Sequence, residues 1–214
     1  PIRFPLYWFY DKVLRCKSGI ERLKLPESVS NSQYYVYKKF HNSHVVILKL
    51  PRFRNVCRFD LYECRYQIAK ELADPIWSAH LPAVYGFRKD GSYEMEYVQG
   101  HNLLELYEHT LAGRSFLHCA HDRVRLLQAI DDLLHNLRAY HEQYGVLKGE
   151  WKHHNLIYNE RDGAIKNVDI EALVSYEDIP WAHIDSAERN LLELRRAVAM
   201  AANASSQPLA IPKE

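Results

Sequence analysis

The chain has 214 residues, 47% of them hydrophobic, and a formal net charge of +1. That apolar content is enough for a full core, yet no apolar run reaches the roughly 18 residues that a membrane span needs. The N-terminal run lacks the apolar core and small-residue cleavage site of a signal peptide, and the four cysteines show no C-x-x-C spacing. We therefore expect a cytoplasmic protein with reduced thiols.

Positive charge is concentrated at the amino-terminal end of the chain. Residues 1–59 contain twelve Lys or Arg against three acids, a balance of +9, and the remaining residues carry −8. A basic region of this kind predicts a surface for an anionic membrane or a phosphorylated partner. Its alternative role is to hold an anionic small ligand, and no motif indicates binding to nucleic acid.

The first hundred residues are predicted to form a five-stranded antiparallel sheet. Runs rich in β-formers alternate with turn residues and place the strands at 21–25, 34–40, 45–50, 81–87 and 93–98. Between the third and fourth strands, the pattern at 60–73 predicts a helix that contains Glu63 and Glu71. Lys49 closes the apolar run of the third strand, where it is either a functional charge or an ordinary strand-end lysine.

The remainder of the chain predicts helices at 103–111, 122–144 and 186–202. In the long middle helix, apolar residues recur at three-to-four spacing and predict one buried stripe: Val124, Leu127, Ile130, Leu134, Leu137 and Tyr140. Asp185 precedes the last helix and is predicted to cap its N-terminus. Residues 207–214, with two prolines, are expected to form a loose tail.

The most informative stretch runs from Leu137 to Glu171. It predicts a helix end, a polar loop, a strand at 156–158, a turn at 161–163 and a second strand that leaves Asp169 at its end. Phosphoryl-transfer enzymes use this order. A triphosphate needs Mg²⁺ held by a carboxylate and a hard amide oxygen, and a second acid must orient the attacking hydroxyl. Each of these residues alone fits an ordinary surface loop, but their joint order and spacing favour a phosphoryl-transfer site.

The loop Glu150-Trp-Lys-His-His-Asn155 resembles the catalytic loop of the protein-kinase-like superfamily, whose acid precedes an Asn by five positions. Asp169-Ile-Glu likewise resembles the D-F-G segment, and His141 occupies the place of a helical L-x-x-H. The resemblance implies that Glu150 is the acid that orients the acceptor hydroxyl and that Asn155 and Asp169 hold the metal. It also implies that Lys152 contacts the γ-phosphate.

Upstream, the same resemblance assigns the residues that bind the nucleotide. Lys49 stands where V-A-I-K carries its lysine and would face the α- and β-phosphates, with Glu63 as its ion-pair partner and Glu71 as second choice. Met95 to Gly100 resembles the segment that joins the last strand to the hinge, which implies that the backbone of Glu96 and Val98 contacts adenine. Asp185 resembles the helix-leading Asp that braces the catalytic loop.

The resemblance thus implies an α+β, two-lobed kinase-like fold, with an N-lobe at 1–100 and a mainly helical C-lobe at 101–214. The implied function is an ATP- and Mg²⁺-dependent phosphotransferase that acts on a protein hydroxyl or on a sugar or lipopolysaccharide-type acceptor. Its relatives would be the lipopolysaccharide-core sugar kinases, the aminoglycoside phosphotransferases and minimal effector protein kinases. Such an effector would be delivered into a host cell.

Two alternatives accompany this assignment. Lys148-Gly-Glu150 stands where the family has H-x-D or H-G-D, and a Glu carboxylate lies about one bond farther out than that of Asp. One alternative is therefore a pseudokinase that binds nucleotide or a partner without turnover. The other is a basic module associated peripherally with a membrane or with nucleic acid.

Overall fold

The computed structural model describes residues 19–22, 34–40, 44–51, 69–70, 72–88, 92–113, 120–145, 151–170 and 182–206. Contacts within the chain divide it into two compact units. The first contains residues 1–70 and 82–97, and the second contains residues 71–81 and 98–214. Each unit has its own sheet, and the second also contains the helices α1 to α3 described below.

The first unit is built on a five-stranded antiparallel sheet. Its strands are β1 (Ile20–Arg22), β2 (Tyr34–Phe40), β3 (Val45–Pro51), β4 (Val84–Phe87) and β5 (Tyr93–Glu96). Their order across the sheet is β1-β2-β3-β5-β4, so β3 is central and β4 and β1 are the edges. The register of β4 against β5 shifts between Val84 and Gly86, which is the local irregularity that a β-bulge produces.

Strand β3 is buried on both faces. Val46, Leu48 and Leu50 point to one side, and Leu48 and Leu50 pack there with Tyr37 of β2. Ile47 and Lys49 point to the other side. A strand with a hydrogen-bonded neighbour on each edge and few polar positions is typical of the middle of a sheet. The continuous apolar run Val45–Leu48 therefore predicted the element correctly.

The predicted fold class, an α+β protein with a five-stranded antiparallel sheet in one lobe and a mainly helical second lobe, is confirmed. The strands at 34–40 and 45–50 match β2 and β3 almost residue for residue. β1 begins one residue earlier than predicted. Residues 69–70 and 72–73 are helical, as predicted, and residues 52–68 lie outside the described part of the chain.

The second unit contains a small antiparallel sheet in the order β6-β7-β8, formed by β6 (Gly100–Asn102), β7 (Leu156–Asn159) and β8 (Ala164–Asn167). The predicted hairpin of β7 and β8 is confirmed. β6 was not predicted. At Gly100, a Cβ atom would overlap the carbonyl oxygen of Tyr158, because β6 pairs closely with β7 at this point. Glycine is therefore required there by close approach of two backbones.

The described part of the second unit also includes three helices: α1 (Leu103–Leu111), α2 (Ala120–Tyr144) and α3 (Ala182–Ser206). α1 has the predicted bounds, and the Asn102 side chain caps it by accepting the N–H of Glu105 at 2.8 Å. Of the described helices, none combines the length and apolarity that crossing a membrane requires.

The helices differ from the prediction in their ends, since α2 begins at Ala120 and α3 runs from Ala182 to Ser206, and also in the following details. Val124, assigned to the buried stripe of α2, is 63% exposed, whereas Leu126 and Leu133 are fully buried with Ile130, Leu137 and Tyr140. α2 is rich in leucine, so its sequence permits two neighbouring stripes, and packing within the second unit buries the one that contains Leu126. Asp185 lies inside the first turn of α3 and not before it, because the helix already begins at Ala182.

Candidate active site

The centre of the candidate site is Asn155, at the end of a short 3₁₀ turn (His153–Asn155) that leads into β7. Its backbone N–H donates to the carbonyl of Lys152 at 2.9 Å, which closes the turn. Its own carbonyl accepts the N–H of Val168 at 2.9 Å, which extends the β7–β8 pairing by one step. The side chain is 9% exposed. Asn155 is thus held by the backbone on both sides.

Asp169 follows β8 and lies beside Asn155. The Asn155 Nδ2 donates to Asp169 Oδ2 at 3.3 Å. The backbone N–H of Asp169 donates to Oδ1 of the fully buried Asn167 at 3.0 Å, a short side-chain bond that turns the chain as it leaves the strand. The hairpin therefore brings together two side chains that are 14 residues apart in the sequence, as its predicted turn requires.

The chemistry of this pair suits Mg²⁺. A carboxylate and an amide supply hard oxygen ligands, and Mg²⁺ keeps several waters and substrate phosphates in its shell, so one or two protein ligands are enough. Asp169 is only partly buried, which leaves room for such ligands. Within the described residues, no group of three His, Cys, Asp or Glu forms a metal site of the all-protein kind. The donor set thus fits a metal that arrives with a phosphate ligand.

In the described part of the loop before Asn155, an exposed lysine follows a buried tryptophan. Lys152 is exposed, which is the condition for contact with an anionic ligand. Trp151, the preceding residue, is 4% exposed, and its ring stacks on Trp77 with centroids 4.4 Å apart and planes 18° apart. Glu150, the predicted acid, lies outside the described residues, so its role stays a prediction.

His153 is a half-buried group in the same turn. Burial lowers the pKa of its imidazole, while the backbone of Asn190 and the carboxylate of Glu193 oppose that shift. Its ring lies 6.1 Å from the ring of Tyr107 on α1. His153 therefore packs its turn against α1 and α3 as a mainly neutral side chain.

In the first unit, Lys49 lies near the end of β3 and is 6% exposed. It stands opposite Val36 of β2 and Tyr93 of β5, and its Nζ lies 6.0 Å from the Tyr93 ring centroid. Lysine is rarely buried to this extent without a charged or polar partner, because removing an ammonium group from water is costly. A buried lysine fits a functional charge better than an exposed strand-end residue. Its predicted partner Glu63 and the second choice Glu71 lie outside the described residues.

The segment predicted to contact adenine lies at the end of β5. The N–H of Glu96 donates to the carbonyl of Ala83 at 2.8 Å, and its carboxylate accepts the N–H of Ala83 at 3.1 Å. Because the N–H of Glu96 already donates to Ala83, the predicted adenine contact of this segment stays a prediction. Val98 is 3% exposed. Most cations of the basic amino-terminal region lie outside the described residues, so its anionic partner stays a prediction.

Three residues near the site were not singled out from the sequence: Asn167, His80 and Trp77. Asn167 had a usable signal, since an Asn two residues before a strand-end Asp favours a side-chain turn. His80 and Trp77 had none, because each acts through residues more than 50 positions away. Their contacts are visible only in three dimensions.

The chain matches no family model and no curated protein. Among solved structures, it is similar to two variants of the PknI kinase domain of Mycobacterium tuberculosis. One is 17% identical, with a TM-score of 0.49, and the match covers 84% of this chain and 74% of that one. The other is 18% identical, with a TM-score of 0.49, and the match covers 92% and 80%.

Proposed function

We propose that the protein is an ATP- and Mg²⁺-dependent phosphotransferase. The observation that carries the proposal is the pairing of the Asn155 amide with the Asp169 carboxylate at 3.3 Å, at the end of a hairpin and next to an exposed lysine. A carboxylate and an amide at this spacing are suited to a cation that is also bound by phosphate oxygens. A strand-borne lysine in the first unit supplies a second charge for a nucleotide.

Each residue then has a separate task. Asn155 and Asp169 hold the cation, which neutralises charge on the transferred phosphoryl group when it is bound. Lys152 offsets the negative charge that grows on the same group during transfer. Lys49 binds the α- and β-phosphates, and the backbone of Glu96 and Val98 contacts the adenine edge. Phosphoryl transfer needs positioning and charge more than covalent chemistry, so this set is sufficient for the reaction class.

Glu150 is the proposed acid that orients the acceptor hydroxyl, with Glu63 as the ion-pair partner of Lys49. The acceptor is an alcohol group on a protein or on a sugar or lipopolysaccharide-type molecule. Only fifteen residues separate Asp169 from Asp185, which favours a small acceptor over a peptide held on a long docking segment. Lys152 favours a protein acceptor. Both classes therefore belong in the test.

The test is incubation of the folded protein with γ-labelled ATP and Mg²⁺, followed by mass analysis of the protein itself, of peptides and of sugar acceptors. We expect label transfer by the natural chain. The Asp169→Asn variant, which keeps the shape of the side chain and removes its charge, should lower the rate by about 10³-fold, because a metal contributes several kcal/mol and each 1.36 kcal/mol is tenfold.

The matched control is Asp162→Asn. Asp162 lies in the turn of the same hairpin, where its carboxylate is 3.7 Å from Lys166 Nζ and its side chain is 42% exposed. This variant should transfer label at the natural rate. A folded Asp169→Asn variant with unchanged activity would contradict the metal assignment. Nucleotide binding without transfer by the natural chain would instead support the pseudokinase alternative.

A further inference from the structure

Residues 74–80 form a short segment that contacts both chain stretches leading to the Asn155 and Asp169 pair. Trp77 stacks on Trp151, four residues before Asn155. The ring nitrogen Nδ1 of His80 lies 2.9 Å from the carbonyl oxygen of Ile165, four residues before Asp169. The segment belongs to the second unit, as do all of these residues. We name residues 74–80 the bracing segment.

The bracing segment is itself fastened to α2 at both ends. At one end, the Tyr144 hydroxyl donates to Asp74 Oδ2 at 2.7 Å, while Asp74 Oδ1 accepts the N–H of Ile76 at 2.9 Å. At the other end, His80 Nε2 accepts from the Asn136 amide at 2.7 Å. Two anchors eight residues apart on one helix leave the segment little freedom to move along α2.

Trp77 lies between these anchors and is completely buried. Besides Trp151, it contacts Tyr140 of α2, with ring centroids 4.6 Å apart. Its Nε1 has no hydrogen-bond partner among the described residues, so the ring is held by packing and stacking. Trp77 is therefore a rigid apolar support, and the loop residue placed on it is the one between the predicted acid Glu150 and the exposed Lys152.

We propose that the bracing segment positions the catalytic loop, with Trp77 as the residue that sets the place of Trp151 and hence of Lys152 and Asn155. Trp77 is a positioning residue and does not touch substrate. A displacement on the order of 1 Å in a reacting group can cost about 10²-fold in rate, so a support under this loop has a direct effect on turnover. The kinetic part of this proposal rests on the proposed function, and its structural part does not.

The test compares Trp77→Leu with Trp77→Phe. Leu removes the stack, whereas Phe retains an aromatic face and removes the unpaired ring N–H. The first readout is hydrogen exchange at the backbone amides of Asn155 and Val168. The Asn155 amide donates to the carbonyl of Lys152, and the Val168 amide donates to the carbonyl of Asn155. In Trp77→Leu, exchange at both amides should rise on the order of 10²-fold, because a buried large-to-small change opens this site locally. In Trp77→Phe it should stay within a few-fold of the natural chain.

The second readout is the kinetics of phosphoryl transfer. Trp77→Leu should lower kcat by about 10²-fold with little change in KM for ATP. Trp77→Phe should keep the kcat of the natural chain. The control is Leu126→Ala, a fully buried residue of α2 that lies about 21 Å along the helix from Tyr140. Leu126→Ala should lower the free energy of unfolding. Exchange at the two amides should rise only as much as this loss of global stability requires.

Each outcome is decisive. If Leu126→Ala and Trp77→Leu change the two amides equally for equal loss of stability, Trp77 is only part of the core and the proposal is wrong. If the natural chain shows no transfer, the proposed function fails and the exchange result alone decides the bracing role. Should Trp77→Leu not fold, Tyr144→Phe removes a single hydroxyl at the edge of the segment. It should raise exchange at the same amides by about twofold to tenfold, and no rise would overturn the proposal.

Discussion

Lys49 in the first unit and the Asn155–Asp169 pair in the second are held in place by different means. Lys49 lies in a seven-residue strand with a hydrogen-bonded neighbour on each side, so the register of three strands fixes its position. Asn155 and Asp169 lie just beyond strand ends, and a few single hydrogen bonds fix theirs. Sheet register is set by many contacts together, whereas a strand-end pair depends on each contact separately. The second unit is therefore where small changes should have large catalytic effects.

The largest effect is expected from a change of Glu150, the predicted acid of the loop. Glu150→Gln should lower turnover by about 10²–10⁴-fold, the range for acid–base groups, with little change in the KM for ATP. Steady-state kinetics on the purified variants would measure both. Glu142→Gln, an exposed position on α2, is the matched control and should have natural kinetics.

Glu150→Asp then decides what the longer side chain does. A gain of transfer activity that the natural chain lacks would show a pseudokinase one substitution from the family pattern. A loss of activity would show a loop built for glutamate. Natural rates for both Gln and Asp variants would mean that Glu150 is only a loop carboxylate.

Changing the strand-borne lysine should affect binding more than turnover. Lys49→Met keeps the buried aliphatic packing of β3 and removes the charge. Hydrogen bonds to charged groups contribute about 1.5–3 kcal/mol, so the affinity for ATP should fall by about 10- to 100-fold. Calorimetric titration would measure it, with the exposed Lys70→Met as the control. Natural affinity and rate for Lys49→Met would leave Lys49 as a structural charge of the sheet.

The two sheets can also be compared through one glycine in each. Gly100→Ala places a Cβ atom against the carbonyl oxygen of Tyr158, and overpacking of this kind costs about 1–3 kcal/mol. Gly86→Ala, in edge strand β4, meets nothing within 4 Å. Urea unfolding should therefore show a clear loss for Gly100→Ala and a change of at most about 0.5 kcal/mol for Gly86→Ala. Equal losses would mean that β6 moves aside freely.

The smallest expected effect concerns pH. Burial lowers the pKa of His80, an effect that its bond to the Ile165 carbonyl and the charge of Asp132 oppose only in part. The unfolded chain then binds a proton at higher pH than the folded one. Stability from neutral His80 is fully present above about pH 6.5 and is lost as the pH falls towards the lower folded value, by at most about 1.4 kcal/mol per pH unit.

Urea unfolding of the natural chain and of His80→Gln at pH 7.5 and pH 5.5 would measure this loss. The natural chain should lose more stability than the variant over that interval. An equal loss in both would show that other groups account for the pH dependence.

The elements that the sequence predicted well are those with local patterns. β2, β3 and α1 have continuous or capped signatures, and the β7–β8 hairpin has its turn residues. β6 has no such signature, because its three residues Gly-His-Asn become a strand only by pairing with β7. The buried stripe of α2 was misplaced at Val124 because only tertiary packing distinguishes the two leucine-rich faces.

The same distinction applies to the candidate site. The nearness of Asn155 to Asp169 followed from the hairpin, because Leu156 pairs with Asn167. The stack of Trp151 on Trp77 could not be predicted, because the two residues are 74 positions apart and no local sequence pattern links them. Residues that take part in the reaction can be recognised from the local sequence when neighbouring turns position them. Residues that only position other residues cannot be recognised in this way.

Two ion pairs join α2 to α3, and their response to ionic strength has a practical consequence. Arg195 donates to both oxygens of Asp131, at 2.6 and 3.0 Å, and Arg138 donates to Glu188 at 2.8 Å. All four side chains are partly exposed, so salt screens them: the Debye length is about 8 Å at physiological salt and about 3 Å at 1 M. Exposed pairs contribute at most about 1 kcal/mol, and the buried leucines of the two helices carry no charge that salt could screen. Assays can therefore vary the salt concentration to probe phosphate contacts with little effect on the packing of α2 against α3.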